Sequence, residues 1–398
     1  MIRVAHLIHT TGIGGVEAAV DLVVRRADLL LYRVFAFEQA EPSAVSADFA
    51  GAGVNSPRSA LGMLRRLHVF QPEVVVSSLW RSVIVGGVHR IRRPRTPWVI
   101  YVHNTRYTNV VDALVHRVAL PFADRILCDS AAALDALVPK SLRSRAEVVC
   151  PDSELMYLSR RRALPAASDA GGPPSGIEPA GDDLPDPDSG SDSRQPMRII
   201  YWGRAVEAKR LDRSLELVAA LEAAAPGAFA LDIISPETPT LRVILAMAHD
   251  RGLPLTWLGA GKADHILAHA ENASFFLQLS EYEGLAMSVR EALALGLVPV
   301  VTPVGAIRHY TEDGVNAVHV RNDDAEASSE VSSREQIEAE TFTRTARRII
   351  ELSHDLSRLT TMSRAARTVP GSDFIADFES ALEAASNIRS PRVQRAEQ

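Results

Sequence analysis

Cysteine is nearly absent from this chain: there are two, Cys128 and Cys150, among 398 residues. That excludes a disulfide scaffold and a four-thiolate zinc site. Aromatic residues are scarce as well, at 6%. No apolar run reaches the roughly 18 residues that span a bilayer. The opening MIRVAHLIHTTGIGG has neither the long apolar core nor the small-residue cleavage site of a secretory signal, so a cytoplasmic protein with reduced thiols is expected. An excess of positive charge is also missing. With 43 Lys+Arg against 49 Asp+Glu the net charge is −6, which leaves no nucleic-acid footprint on the chain as a whole. Gly12-Ile13-Gly14-Gly15 lacks the Gly-x-Gly-x-x-Gly spacing, which argues against NAD.

What remains is the composition of a soluble globular protein, 46% hydrophobic and 23% charged, with length for two domains. The charge is uneven. Residues 1–150 hold 18 Lys+Arg against 12 Asp+Glu, a net of +6, so the remainder carries −12. The bland reading is chance plus an acidic linker; the functional one is a first half that faces an acidic acceptor or an anionic membrane. The stretch from Arg160 to Pro196 is rich in Pro, Gly, Ser and Asp and has almost no apolar anchors, which predicts disorder. Its Asp186-Pro187-Asp188 follows no strand, so a metal there is not expected.

Both flanking halves alternate strand and helix. Ile2–Ile8, Val74–Ser77, Trp98–His103 and Arg125–Cys128 read as strands of the first half, with Gly15–Leu31 a helix. Arg198–Trp202, Leu231–Ile234, Leu255–Leu258, Phe275–Leu279 and Pro299–Thr302 read as strands of the second. Ala325–Ser333 reads as a polar loop, and Thr341–Val369 and Phe374–Ala385 as helices. Short apolar strands separated by helical segments predict parallel sheets. The expected organisation is an α/β protein with two Rossmann-like, doubly wound domains. The first covers 1–158, an acidic linker 159–196, the second domain 197–372, and a C-terminal helix and tail 373–398.

The richest stretch is Ser274–Ala306. A strand leads into the loop Ser280-Glu281-Tyr282-Glu283-Gly284, then a helix over Ala286–Leu295 with Gly296 as its stop. Gly284 lets the backbone approach something closely, and the free N–H groups of the first turn form an anion site. Glu283 precedes that site, and Glu291 lies roughly 9 Å along the helix, at about 1.5 Å per residue. One carboxylate on each side of a phosphate suits a nucleotide sugar, because each can accept two hydrogen bonds from vicinal hydroxyls. A single glutamate on a helix is ordinarily just solvated; the combination with Gly284, Gly296, Pro299 and Gly305 is harder to dismiss.

Glu283-x7-Glu291 in the setting EYEGLAMSVREALALGLVPVVTPVG resembles the signature of retaining glycosyltransferases of family 4, which have the GT-B fold. Ile199-Ile200-Tyr201-Trp202-Gly203-Arg204, with Lys209 five residues on, is similar to that family's Gly-Arg…Lys block. Gly14-Gly15-Val16-Glu17 is similar to its N-terminal glycine loop, His103-Asn104 to a strand-end His, and Asp313-Gly314-Val315-Asn316 to a later loop. Cys150-Pro151-Asp152-Ser153 stands where the family commonly has Pro-Asn-Gly. The resemblance implies that Glu291 binds ribose hydroxyls and that Glu283 contacts the donor hexose. It implies that Gly203 and the backbone of Gly284, Leu285 and Ala286 hold the sugar or its phosphate. Arg204 and Lys209 would neutralise the leaving diphosphate, Gly14 and Gly15 would let the first domain close on the phosphates, and His103 would lie near sugar or acceptor.

The two cations also have a case of their own. Breaking a glycosyl–phosphate bond leaves charge on the nucleotide, and a fixed Arg and Lys stabilise it where it develops, without a metal. Cys128, in a strand, reads as a small core residue, and the basic run His89–Arg95 as a solvated turn or a contact with an anionic acceptor or lipid headgroups. The expected activity is therefore metal-independent transfer of a hexose from a nucleoside-diphosphate sugar to a carbohydrate or lipid-linked acceptor hydroxyl. It would need no cofactor and no nucleic-acid partner, with peripheral contact at the inner face of the membrane. The alternatives are a nucleotide-sugar epimerase of the same fold and a catalytically silent nucleotide-sugar-binding scaffold.

Overall fold

The computed structural model describes residues 1–163, 195–321, 331–369, 371 and 373–388. Most of the expected linker, with Asp186 and Asp188, lies outside the described residues, as do most of the expected loop at Ala325–Ser333 and the last ten residues.

Two fully parallel sheets organise the chain. The strands of the first are β1 Ile2–Thr10, β2 Leu30–Glu38, β3 Phe49–Ala50, β4 Val74–Ser78, β5 Trp98–Val102, β6 Arg125–Cys128 and β7 Ala146–Val148, in the order β3-β2-β1-β4-β5-β6-β7. Those of the second are β8 Met197–Trp202, β9 Phe229–Ile234, β10 Leu255–Trp257, β11 Ala273–Gln278, β12 Val298–Val301 and β13 Val318–His319, in the order β10-β9-β8-β11-β12-β13. The connecting helices are α1 Gly15–Arg26, α2 Pro57–Phe70, α3 Trp80–Arg92, α4 Val110–Ala119, α5 Ala131–Leu137 and α6 Glu154–Ala163. The second half adds α7 Leu211–Ala224, α8 Pro239–Asp250, α9 Ala263–Ala270, α10 Met287–Leu295 and α11 Ile307–Tyr310. The chain closes with α12 Val331–His354, α13 Leu356–Arg367 and α14 Phe374–Asn387.

The central strands are near-continuous apolar runs because helices cover both faces of each sheet. In β1, Val4, Ala5, Leu7 and Ile8 are all fully buried. The two halves exchange their last elements. Leu155 of α6 packs into the second sheet's core beside Ile200 and Trp202, while Phe374, Phe378 and Leu382 of α14 pack on the first sheet with Val4, Val76 and Tyr101. The helix α6 thus runs across the boundary expected at residue 158.

The short strands β3, β7 and β13 were not expected, and other elements differ from expectation. The helix expected over Gly15–Leu31 stops at Arg26, and Leu30–Glu38 is the unexpected strand β2. The leucines after Asp28 continue the apolar count but belong to a strand paired with Ile2–Thr10. The expected long helix Thr341–Val369 is two helices, separated at Asp355, whose side chain caps the second by accepting from the Arg358 N–H. Finally, α10 begins at Met287 after a left-handed Ala286 (φ 58°).

Candidate functional site

In each sheet the strand order reverses once, between β1 and β4 and between β8 and β11. Crevices outside the carboxyl ends of strands at such switch points are where open α/β sheets bind ligands. Gly14 and Gly15 follow β1, Arg204 follows β8, Glu283 follows β11, and His103 follows β5, the neighbour of β4. The expected site residues are thus gathered at the switch points of both halves.

Two helix starts meet there. A Cβ on Gly15, the first residue of α1, would lie 2.9 Å from Cγ of Met287, the first residue of α10. Neither helix has a side-chain cap. Among the described residues the N–H groups of Gly14, Gly15 and Val16 donate to no acceptor, nor do those of Gly284, Leu285, Ala286 and Met287. The carbonyls from Glu283 to Leu285 are occupied: Glu283 O accepts from Thr105 Oγ1 (3.0 Å), Gly284 O from Ala306 N–H (2.9 Å) and Leu285 O from Tyr310 OH (2.6 Å). What the stretch from Gly284 to Met287 offers a ligand is chiefly N–H groups, a concavity suited to an anion.

The side chains around it divide into bonded and free. Lys209 Nζ lies 2.7 Å from Glu283 Oε1, which also accepts from Gln278 Nε2 (2.9 Å) and Ser280 Oγ (2.6 Å). Gln278 in turn accepts from Ser288 Oγ at 2.6 Å, linking Glu283 to the start of α10. Arg204 is exposed, and its guanidinium makes no hydrogen bond or ion pair among the described residues. Its Nη2 lies 3.7 Å from where a Cβ on Gly14 would sit. Beside it Glu17 is buried, and burial raises its carboxyl's pKa against the bond to its own backbone and the charge of Arg204. Gly203, with φ 136°, turns the chain out of β8 toward Arg204.

Glu291, expected to bind the ribose hydroxyls, is largely enclosed by the protein. It is 8% exposed, and its Oε2 accepts from Trp202 Nε1 at 2.6 Å. Burial raises its pKa, opposed by bonds to Ser153 and Trp202. Both acids are therefore held by the protein: Glu283 through one saturated oxygen, Glu291 through an indole and a serine. Asp313 lies apart, accepting from Arg348 Nη2 (2.7 Å) and the His319 N–H (2.8 Å).

From the first half, the His103 carbonyl and Asn104 fill the space beside Gly284, where a Cβ would lie 2.6 Å from His103 O. The close approach anticipated for Gly284 is thus to the other domain. Arg106 stacks over the Tyr282 ring, 3.3 Å from its centroid. The run His89–Arg95 is partly structural: His89 is buried, and Arg90 Nε lies 3.4 Å from Asp124 Oδ2. Burial pushes the Cys128 thiol up to about 12, as suits a core residue. Among the described residues no group of three or more His, Cys, Asp or Glu is placed to hold a metal ion, and no helix is long and apolar enough to cross a membrane.

Sequence reasoning missed Gln278, Arg290 and Asp129. Arg290, buried in α10, donates to Pro151 O at 2.6 Å and lies 3.9 Å from Asp152 Oδ1, bolting the first half's final segment to α10. Asp152 is also bonded to Arg160. Asp129, after β6, is 3% exposed; burial pushes its carboxyl from 3.8 up to about 7, opposed by Ser130 Oγ at 2.8 Å and by Arg290. A folded pKa above the unfolded one means that stability falls as pH rises from about 4 to about 7. Asp129→Asn should therefore raise the melting temperature more at pH 8 than at pH 5; equal shifts at the two pH values would contradict this.

Residues 187–353 match the family described as "Glycosyl transferases group 1". No curated protein matches the sequence. Among solved structures, Anabaena HepE in complex with UDP and glucose is similar at TM-score 0.67 and 13% identity, over 96% of this chain and 100% of that one. Sucrose-phosphate synthase from Thermosynechococcus elongatus is similar at TM-score 0.65 and 14% identity, over 100% of both chains. UDP-GlcNAc 2-epimerase from Neisseria meningitidis bound to UDP-GlcNAc is similar at TM-score 0.61 and 10% identity, over 96% of this chain and 100% of that one. The chain accordingly has the GT-B fold, two Rossmann-like domains facing each other across a cleft, and the match to the group 1 glycosyl transferase model falls on its second half.

Proposed function

We propose that the protein is a retaining glycosyltransferase of the family 4 kind. It moves a hexose from a nucleoside-diphosphate sugar to an acceptor hydroxyl without a metal. The observation that carries this reading is the pair of facing helix starts whose N–H groups have no acceptor among the described residues, with Arg204, which makes no hydrogen bond or ion pair among them, alongside. A diphosphate fits that need, and the structurally similar HepE and 2-epimerase are described in complex with UDP or UDP-sugars. Arg204 neutralises charge as the glycosyl–phosphate bond breaks. Lys209 does so while oriented by Glu283, whose second oxygen is left for the sugar. Glu291 reaches the ribose by exchanging its Ser153 bond for hydroxyls, and His103 meets the sugar or acceptor from the first domain.

The rival with a specific observation behind it is the epimerase, through the Neisseria structure. Supplying UDP-, GDP- and ADP-hexoses with glycan and lipid-linked acceptors separates the two. Transfer with retained anomeric configuration is expected, and conversion of the donor alone, with no acceptor present, would contradict it. Arg204→Ala should lower kcat/KM about 100-fold or more, the size of losing one oriented charge stabiliser. A loss under tenfold would remove Arg204 from the mechanism.

The acceptor side favours a lipid-linked substrate at the inner face of an anionic membrane. On α4, Val110 is 84% and Leu114 59% exposed, and Phe122, just beyond the helix, is 67% exposed. A groove of about 400 Å³ runs beside them, lined by Tyr107, Val110, Leu114, Arg117 and Pro139. Apolar side chains beside a cation on the half that carries +6 suit headgroup-level insertion. Sedimentation with phosphatidylglycerol vesicles should be lost in the double variant Val110→Asp, Leu114→Asp. Unchanged sedimentation of the variant, or none by the wild type, would contradict the membrane setting.

A further inference from the structure

Four neighbouring strands of the first sheet each contribute one polar group to a line that ends at the cleft. Tyr32 of β2 is bonded through its hydroxyl to His6 Nδ1 on β1. His6 Nε2 lies 2.7 Å from Ser78 Oγ at the end of β4. Ser78 Oγ lies 2.8 Å from Nε2 of His103, just past β5. Phe378 of α14 covers the line, its ring centroid 6.3 Å from His6, 6.2 Å from Tyr32 and 6.1 Å from Tyr101.

Counting protons sets the direction of this chain. Ser78 has one proton and sits between two imidazole nitrogens, so one ring donates to it and the other accepts from it. Both rings are neutral, since burial pushes each down to about 3. Were His6 to accept from Ser78 at Nε2, its own proton would sit on Nδ1 and face the Tyr32 oxygen. The Tyr32 proton would then have no acceptor, because among the described residues that hydroxyl meets only His6. Burial also holds the phenol well above its ordinary pKa, so the proton stays on. One arrangement meets every group of the line and leaves its one spare donor at the cleft end, on His103 Nδ1, which is not among the buried atoms without a partner: Tyr32 O–H donates to His6 Nδ1, His6 Nε2–H donates to Ser78 Oγ, and Ser78 O–H donates to His103 Nε2. His103 then carries its proton on Nδ1, which meets no partner among the described residues.

We propose that Tyr32, His6 and Ser78 are positioning residues that lock His103 as the Nδ1–H tautomer, a fixed hydrogen-bond donor toward a hydroxyl of the bound sugar or acceptor. This rests on the glycosyl-transfer reading for the identity of the ligand, and it makes His103 a donor at Nδ1 rather than a base. The backbone of His103 already abuts Gly284, beside the open N–H groups, so the ring belongs to the residue that closes the site from the first domain.

Long-range ¹H–¹⁵N spectra of the full chain, labelled at histidine, read the tautomer directly, with His103→Gln assigning the signal. Nδ1 protonated and Nε2 bare is the expected wild-type state. Tyr32→Phe removes the donor that sets the direction and leaves both arrangements with one unmet group, so His103 should become a mixture of tautomers. Ser78→Ala, which removes the bond to His103 itself, should shift the His103 Nε2 signal even if Tyr32→Phe folds poorly. A wild-type His103 protonated on Nε2, or His103 signals unchanged in both folded variants, would overturn the proposal. No sugar nucleotide is needed, so the outcome is independent of the transfer assay. An Nδ1–H His103 in a protein that transfers nothing would sink the proposed activity and leave the lock standing.

Discussion

The arrangement depends on backbone N–H groups that the fold leaves without partners. The first N–H groups of a helix have no acceptor within it and must find one outside. Here they cluster at two helix starts that face each other, while every carbonyl of the loop from Glu283 to Leu285 is taken by Thr105, Ala306 or Tyr310. The polarity of the loop is therefore one-sided, and an anion is the ligand that meets it. Gly15 and Gly284 make this possible by admitting Met287 and the His103 carbonyl where a side chain would stand.

The charges around that concavity follow a division of labour. Lys209, Gln278 and Ser280 converge on one oxygen of Glu283, so the loop's acid is oriented before any ligand arrives. Arg290 joins the two halves through Pro151 and Asp152 and leaves the cleft itself alone. Arg204 alone among these cations has no hydrogen bond or ion pair within the described residues. Pre-oriented groups lose little on binding, and a cation without a partner gains most from an arriving diphosphate.

Much of this was legible in the residues, for physical reasons. The second half's strands are short apolar runs bounded by turns, and Gly296 stops α10 in a left-handed conformation, as its position implied. The placement of Gly14, Arg204 and Glu283 after strands was enough to bring them together, because parallel sheets send those positions to one edge. What stayed hidden depends on tertiary contact. Leu29–Leu31 looked like the tail of a helix until β2 found its pairing with β1. Glu291 was expected to face the ribose, and nothing local announces that it also meets an indole 89 residues away. Arg290 drew no reading, because its partners Pro151 and Asp152 lie in the other half. His6 and Ser78 are far apart in sequence and acquire meaning only as neighbours across the sheet.

The central claim is that the facing helix starts hold the diphosphate of a sugar nucleotide. Thermal denaturation against UDP, GDP, ADP and their hexose conjugates tests it most directly, since a ligand at 100 times its Kd stabilises the folded state by about 2.7 kcal/mol. The account predicts that one base series raises the melting temperature, that the shift needs the diphosphate and is absent with the nucleoside, and that it shrinks in Gly15→Val. A protein whose melting temperature responds to none of these compounds, or responds equally to the bare nucleoside, would contradict it.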